Sequence, residues 1–415
     1  MQEHNPGFKL SAPRSGKIAL LGYLVESFEA AHKLGLDFVA VVPPGFDTGL
    51  NNDGIETIVW DFDRINEHSD ELLQQCQQYD VRVAVPLYEE CVEWAGALNA
   101  RIQDKPRLFN RGLLFRDKAM MKRKAQMSGL RVGVFEEVSH RDEVRRFFRR
   151  VNDALMNIDG DVEDPVHLKP TRAAGSVGHC IIRSHQDIDE LPDEVFPCMV
   201  ESHLDGQEFS VEAFIHNGKI WFMNINEYVH LGYSQLLPPG PELEAERPKI
   251  RRAVEKLVNA FNMDNGVIHP EYFIDGEGEL NFGEVANRIP GGHIFDLIQR
   301  AYGFDPFAAQ LLCADPQTSD EELAAFFPDE VADIQGHAGN VMIYPQKPRV
   351  TSLDVPDELL DDPLYEKHDM FEPVNPKVAE RVGFGNHYGK INFFGDDAEA
   401  IKQRLEKWEK FDFYK

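Results

Sequence analysis

The run KIALLGYLVESFEAAHKLGLDFVAVV, residues 17–42, sets two apolar, β-rich segments on either side of a helical stretch bounded by Gly22 and Gly35. Strand, helix, strand in that order is the beginning of an α/β sheet, because the helix returns the chain across one face. TIVWDF and VRVAVPL follow as further strand candidates, separated by the polar helical segment HSDELLQQCQQY. The opening of the chain therefore reads as a small doubly wound parallel sheet. Only Gly22 occupies the first turn, so the fingerprint G-x-G-x-x-G is missing and a nicotinamide dinucleotide is not expected.

With 415 residues the chain exceeds one ordinary domain, and a prior of about 100–200 residues per domain suggests two to four. The net charge of −28 opposes long-range attraction to DNA, RNA or anionic lipid. Any anionic ligand must then be met by a local positive cluster. Apolar runs such as IALLGYLV fall short of the roughly 18 residues of a membrane span, and MQEHNPGFKLSAPRSGK lacks the apolar core of a secretory signal. Cys76, Cys91, Cys180, Cys198 and Cys313 are scattered, with no metal or redox spacing. Reduced, mostly buried thiols in a soluble cytoplasmic protein are expected.

Further along, a basic helix over 115–128 stops at Gly129, and SHRDEVRRFFRRVNDALMNI follows with five arginines between 141 and 150. A solvated helix face balanced by nearby acids accounts for them better than a nucleic-acid surface. Strand signals dominate 165–226. The Pro-rich stretch 227–248 reads as a loop near a site, RPKIRRAVEKLVNAF as a helix, and GFGNHYGK at 383–390 as turns closing a C-terminal subdomain.

Three stretches carry chemistry. HLKPTRAAGSVGHCIIRS (167–184) reads as a strand ending at Lys169, a loop with Gly175, Ser176 and Gly178, and a second strand. Small residues let backbone N–H groups approach phosphates closely, although a plain turn would look the same. CMVESHLDGQEFSVEAFIHNGKIWF (198–222) alternates so that Glu208 and Glu212 share one strand face and Phe209, Val211 and Ala213 the other; a solvated acidic face explains this by itself. HPEYFIDGEGELNFGEVANRIPGGH (269–293) reads as a β-hairpin. With its turn on Glu277-Gly278, Glu271 lies opposite Glu284, an unfavourable pairing of like charges unless a cation sits between them.

The order of these features, Lys118, then Lys169 before a glycine-rich hairpin, then Glu201 to Glu208, then Glu271, Glu284 and Arg288, resembles the ATP-grasp superfamily over about residues 113–300. The preceding α/β domain also looks like the one such proteins carry. The resemblance implies an ATP-grasp fold of mixed α/β and α+β class: an N-terminal α/β domain (1–112), a central lobe with the glycine-rich loop (113–200), and a C-terminal lobe with the metal and substrate site (201–415). It implies that Lys118 and Lys169 contact the nucleotide phosphates and that Ala174, Gly175, Ser176, Val177 and Gly178 close over them. Glu201 and the backbone at Leu204 would meet the adenine edge, and Glu208 the ribose. Glu271 and Glu284 would hold one or two Mg²⁺, with Mn²⁺ as a substitute, and Arg288 would stabilise the transferred phosphoryl group.

Many members carry Glu-x-Asn at the metal, whereas position 286 here is Ala and Asn287 lies one step further on. The dipeptide-forming L-amino-acid ligases, which the chain resembles most in motif pattern, also lack that asparagine and keep the arginine; Asn287 stays the doubtful metal ligand. Substrate contacts are expected from Gly291, Gly292 and His293 at a helix entry, from His269 beside Glu271, and from Tyr228 and His230. The expected activity is ATP-dependent amide formation between a carboxylate and an amine through an acyl phosphate, in a cytoplasmic homodimer, as in specialised peptide biosynthesis. Loading of an amino acid onto a carrier protein and a non-catalytic nucleotide-binding regulator are the alternatives.

Overall fold

The computed structural model describes residue 4 and residues 7–64, 69–154, 164–173, 175–381 and 383–415. These residues form three sheets, taken in order along the chain. The first contains β1 (Lys17–Leu21), β2 (Phe38–Val42), β3 (Thr57–Val59) and β4 (Val81–Pro86), all parallel, in the order β3-β2-β1-β4. Its near-continuous apolar strands are buried on both faces, as a parallel sheet under helices requires. The strand order reverses between β1 and β4. Ligands of such sheets lie beyond the carboxyl ends of the strands at that point, and Gly22 and Glu89 follow those two ends.

The second sheet is antiparallel, with β5 (Phe135–Val138), β6 (Val166–Lys169), β7 (Cys180–Ile182) and β8 (Cys198–Ser202) in the order β5-β8-β6-β7. The expected lobe division at residue 200 falls inside β8. We propose instead that the small lobe ends after Ser202, in the turn leading to the next strand.

The third sheet has eight antiparallel strands: β9 (Gln207–His216), β10 (Lys219–His230), β11 (Ser234–Leu237), β12 (Gly266–Ile274), β13 (Leu280–Ala286), β14 (His337–Met342), β15 (Tyr365–Met370) and β16 (Gly389–Gly395). Their order is β13-β12-β9-β10-β11-β14-β16-β15. On β9, Phe209, Val211, Ala213 and Ile215 pack under helices Lys118–Met127 and Arg247–Ala260, while Phe214 turns to the opposite core beneath Ile294–Tyr302 and Pro306–Ala314. The second core joins this sheet to the parallel domain.

Three expectations change. Residues 227–248 are largely not a loop: EYVH completes β10 and SQLL forms β11, paired Glu227 to Leu236 and Tyr228 to Gln235, so the prolines only terminate a hairpin. Of GFGNHYGK, Gly389 and Lys390 already belong to strand β16 rather than to the turns. The acidic face of β9 is not solvated, because Ser210 and Glu212 are fully buried. The arginine helix, Arg141–Ala154 within the described residues, is balanced as expected: Arg141 pairs with Asp193 (2.8 Å), Arg145 with Asp189 (2.6 Å) and Arg150 with Glu136 (2.7 Å). Cys76, Cys91, Cys198 and Cys313 are buried free thiols and Cys180 is half-buried. Among the described residues no helix is long and apolar enough to cross a membrane.

Candidate active site

β12 and β13 form the expected hairpin, with Glu271 facing Glu284 in register. The turn sits out of the expected register. Ile274 pairs with Leu280 and Tyr272 with Phe282, so the loop centres on Glu277, and the extra residue Gly283 bulges to bring the two glutamates opposite each other. Gly283 also brings the two backbones close, since a Cβ there would lie 3.0 Å from the Glu271 carbonyl oxygen. The bulge points its own carbonyl at Lys122, whose Nζ donates at 2.7 Å.

Lys122 is 1% exposed and pairs with Glu201, which is equally buried; Lys169 reaches the same carboxylate at 3.2 Å, and Lys118 pairs with Glu284. Lys118 opens its helix after an Asp117 cap that accepts from Met120 N–H at 2.9 Å, and its own N–H donates to Thr171 O at 3.0 Å. Burial opposes the charge of Lys169, but Glu201 and Glu284 hold its ammonium above the ordinary value. Burial likewise opposes the charge of Glu284, yet Lys118 and Lys169 hold its carboxyl well below the ordinary range. Glu208 has the reverse fate: burial and the facing Glu271 push its carboxyl up. Three lysines and four glutamates thus share one cleft between the small and large sheets.

Behind Glu271, His269 Nδ1 lies 2.9 Å from Glu212 and Nε2 lies 3.5 Å from Glu271. Burial works against its charge, but the two carboxylates hold the imidazolium up to about 9. Glu212 also accepts from Ser210 Oγ (2.9 Å) and Asn224 Nδ2 (2.8 Å), so both oxygens of this fully buried carboxylate are hydrogen-bonded. His269 is therefore a support for Glu271, with little surface left for a substrate. Tyr228, two strands away, is half-buried, bonded to Ser210, and its hydroxyl is pushed well up by burial and then by Glu271.

Arg288 leaves β13 toward the switch point of the parallel sheet. Its Nε donates to Glu89 at 2.9 Å, and Arg116 reaches the other oxygen of Glu89 at 2.8 Å. Its NH1 donates to Ile289 O at 2.9 Å. Gly291 and Gly292 follow, and Gly292 O accepts from Gln235 Nε2 and, at 2.9 Å, Asn340 Nδ2. His293 sits in the left-handed region (φ 59) at the entry of helix Ile294–Tyr302, with Nδ1 at 2.9 Å from Lys390 Nζ and 3.3 Å from Asp296.

Several expected roles need revision. Asn287 is turned away from the glutamate pair: its amide donates to Val267 O at 2.8 Å, as alternation past Glu284 requires. Glu201 is enclosed by two lysines and is a counter-ion, with Leu204 packed nearby at Gly133, so the carboxylate is not presented to an adenine edge. Glu208 is close enough to the opposed carboxylates to feel both Glu271 and Glu284. His230 lies at the far end of β10, paired with Glu409. Gly175, Ser176 (φ 60), Val177 and Gly178 (φ 71) do form the β6–β7 hairpin loop, exposed above the lysines; Ala174 lies outside the described residues.

Sequence reading missed Lys122, Glu89 and Arg116, and took Glu212 for a solvated charge. Lys122 was accessible in principle, since it follows Lys118 by one helical turn on the same face. Also unforeseen is a row of imidazoles on the cleft wall, His167 bridging His179 (2.8 Å) and His203 (2.9 Å) through its two nitrogens.

The donor set suits a hard divalent ion. It consists of two opposed carboxylates, and among the described residues no three His, Cys, Asp or Glu side chains form a cage. Mg²⁺ is held in this way, by one or two carboxylates with substrate phosphates and water supplying the rest.

Residues 162–296 match the model of the ATP-grasp domain, and this span covers β6 to the entry of helix Ile294–Tyr302, with the lysine, glycine loop and glutamate pair inside it. The chain contains an ATP-grasp domain over this span. It is 24% identical over 221 residues to an L-arginine-specific L-amino acid ligase of Bacillus subtilis, a stretch that makes up 49% of this chain and spans 50% of that relative's length. The crystal structure of an L-amino acid ligase from Bacillus licheniformis superposes with a TM-score of 0.73 at 19% identity, over 95% of this chain and 98% of that one. The biotin carboxylase domain dimer of Hydrogenobacter thermophilus 2-oxoglutarate carboxylase, in complex with MgADP, gives 0.67 at 14% identity, over 97% and 91%. The three sheets are thus those of the ATP-grasp fold: an N-terminal parallel domain and two antiparallel α+β lobes.

Proposed function

We propose that this ATP-grasp protein is an ADP-forming ligase that joins a carboxylate, most simply that of an amino acid, to an amine. The observation that carries the reading is the pair Glu271 and Glu284, opposed in register, faced by Lys118 and Lys169, with Arg288 at the mouth of the parallel domain. A reaction between two anions needs this distribution of charge. A carboxylate oxygen attacks the γ-phosphorus and the bond to the β-phosphate oxygen breaks, giving acyl phosphate and ADP. The amine nitrogen then attacks the acyl carbon, phosphate leaves, and the nitrogen loses a proton. Lys118 and Lys169 would neutralise the phosphates, and Arg288, held by Glu89 and partly shielded from water, would steady the transferred group and the oxyanion. Glu271 and Glu284 would hold Mg²⁺, or Mn²⁺, which lowers the repulsion between the reactants. The similarity to L-amino acid ligases favours amino acids as substrates.

The carrier-loading reading drew on a basic surface at 141–150, but those arginines are largely spent on the protein's own acids. A cytoplasmic homodimer with small-molecule partners fits the reading, and sedimentation would test it. The decisive measurement couples ADP release to amino-acid pairs, with mass detection of the amide. ADP and amide formed together support the proposal; AMP as the nucleotide product overturns the acyl-phosphate route.

A further inference from the structure

The run GFGNHYGK, which closes nothing within its own subdomain alone, lies against the glycine-rich loop. Phe384 N–H donates to Gly175 O at 3.1 Å. A Cβ on Gly383 would collide with the same carbonyl and lie 3.2 Å from Val177 N, and Gly383 has φ +56, so both space and backbone call for glycine there. This is a backbone contact between lobes, since Gly175–Gly178 hangs from the small sheet and residues 383–388 lead into β16 of the large one.

The far side of the segment is fixed to the large lobe. Tyr344 OH donates to Phe384 O at 2.8 Å and reaches Gly232 O at 3.2 Å. Arg381 Nε donates to Gly383 O at 2.9 Å, and its guanidinium lies 3.9 Å from the Tyr344 ring centre and 4.4 Å from that of Tyr233. A Cβ on Gly232 would collide with the Phe384 ring. Beyond it, His387 lies 5.9 Å, ring to ring, from His293 at the entry of helix Ile294–Tyr302. One segment therefore touches both the loop above the lysines and the expected substrate end.

We propose that Gly383 and Phe384 are positioning residues for the glycine-rich loop, forming a strap that holds it closed from the large lobe while Tyr344 and Arg381 anchor the strap. The consequence for turnover rests on the ligase reading above; the contact itself does not. A closed loop excludes water from an acyl phosphate. With the strap loosened, water attacks in place of the amine, carboxylate and phosphate return, and ADP appears without amide.

The test uses Gly383→Ala and Tyr344→Phe in the full chain, the second removing only a hydroxyl in case the first disturbs folding. Hydrogen exchange without ligand should quicken at Phe384 and across Gly175–Gly178, by roughly fivefold for one lost hydrogen bond, with the melting temperature unchanged. With ATP and substrates, KM for ATP should rise and amide per ADP should fall. Unchanged exchange in both variants overturns the strap. Faster exchange with an unchanged amide-to-ADP ratio overturns its water-excluding role. Faster exchange in a protein whose wild type makes neither ADP nor amide supports the strap and overturns the ligase reading, so the two failures are distinguishable.

Discussion

Replacing Lys122 with methionine tests how the cleft is held together. The ammonium is 1% exposed, donates to the Gly283 carbonyl at 2.7 Å and pairs with Glu201, itself 1% exposed. Methionine fills most of the volume but leaves a bulge carbonyl without its donor and a buried carboxylate with Lys169 alone. Breaking a buried pair from one side costs about 3–5 kcal/mol, and the surviving Lys169 contact puts the expected loss near the lower end, about 3 kcal/mol. The pH dependence has a definite sign. Burial opposes the charge of Glu201, but Lys122 and Lys169 hold its carboxyl below the ordinary value, so its contribution is present above the unfolded pKa and is lost as pH falls. In the variant that support is halved, so the stability gap from wild type should hold down to about pH 5 and narrow between about pH 5 and about pH 3, across and below the ordinary glutamate pKa. Urea unfolding at the two pH values measures both effects. Lys122→Met with Glu201→Gln should recover only part of the loss, because the buried carboxylate is gone while Lys169 loses its partner and the Gly283 carbonyl still lacks a donor. A single-variant cost under about 1 kcal/mol, the worth of an ordinary hydrogen bond, would refute the reasoning.

Other substitutions separate the residues by role. Arg288→Lys loses the planar fork that engages Glu89 and should lower kcat by about 100-fold or more with KM for ATP little changed, read by steady-state ADP release. Asn287→Ala should leave the Mg²⁺ concentration for half-maximal activity unchanged while costing about 1 kcal/mol of stability through the lost bond to Val267 O, read by titration and denaturation.

The opposed glutamates were legible because hairpin register is arithmetic once a turn is located. The sequence alone did not reveal that the register near the turn differs by one residue and is restored at Gly283; a bulge has no signature beyond a glycine in a strand. The glycine-rich hairpin, the β9 alternation and the parallel domain were readable from local pattern. What escaped was every feature made by distant chain segments: Glu89 beneath Arg288, Lys122 between Glu201 and Gly283, and the strap on Gly175. The acidic face of β9 misled for a physical reason. Glu212 looks like a surface charge until His269 and Asn224, 57 and 12 residues away, supply its partners.

The charges of the cleft also couple the ligands to one another. Lys118 is spent on Glu284 and Lys169 on Glu201, so the ligand-free site neutralises itself inside a chain of net charge −28. A nucleotide that took Lys118 alone would leave Glu284 uncompensated beside phosphates, and a divalent ion that took Glu284 alone would displace a lysine toward positive charge. Each exchange is favourable only with the other, because each releases the partner the other ligand needs. Binding of ATP and Mg²⁺ should therefore be strongly cooperative, with coupling in the range of about 1–3 kcal/mol, and reciprocal as linkage requires. Calorimetry of the nucleotide with and without the metal measures it, and Lys118→Met should reduce the coupling by removing the shared partner; equal nucleotide affinity under both conditions, after allowing for metal–nucleotide association in solution, would mean that the lysine–glutamate pairs are not exchanged on binding.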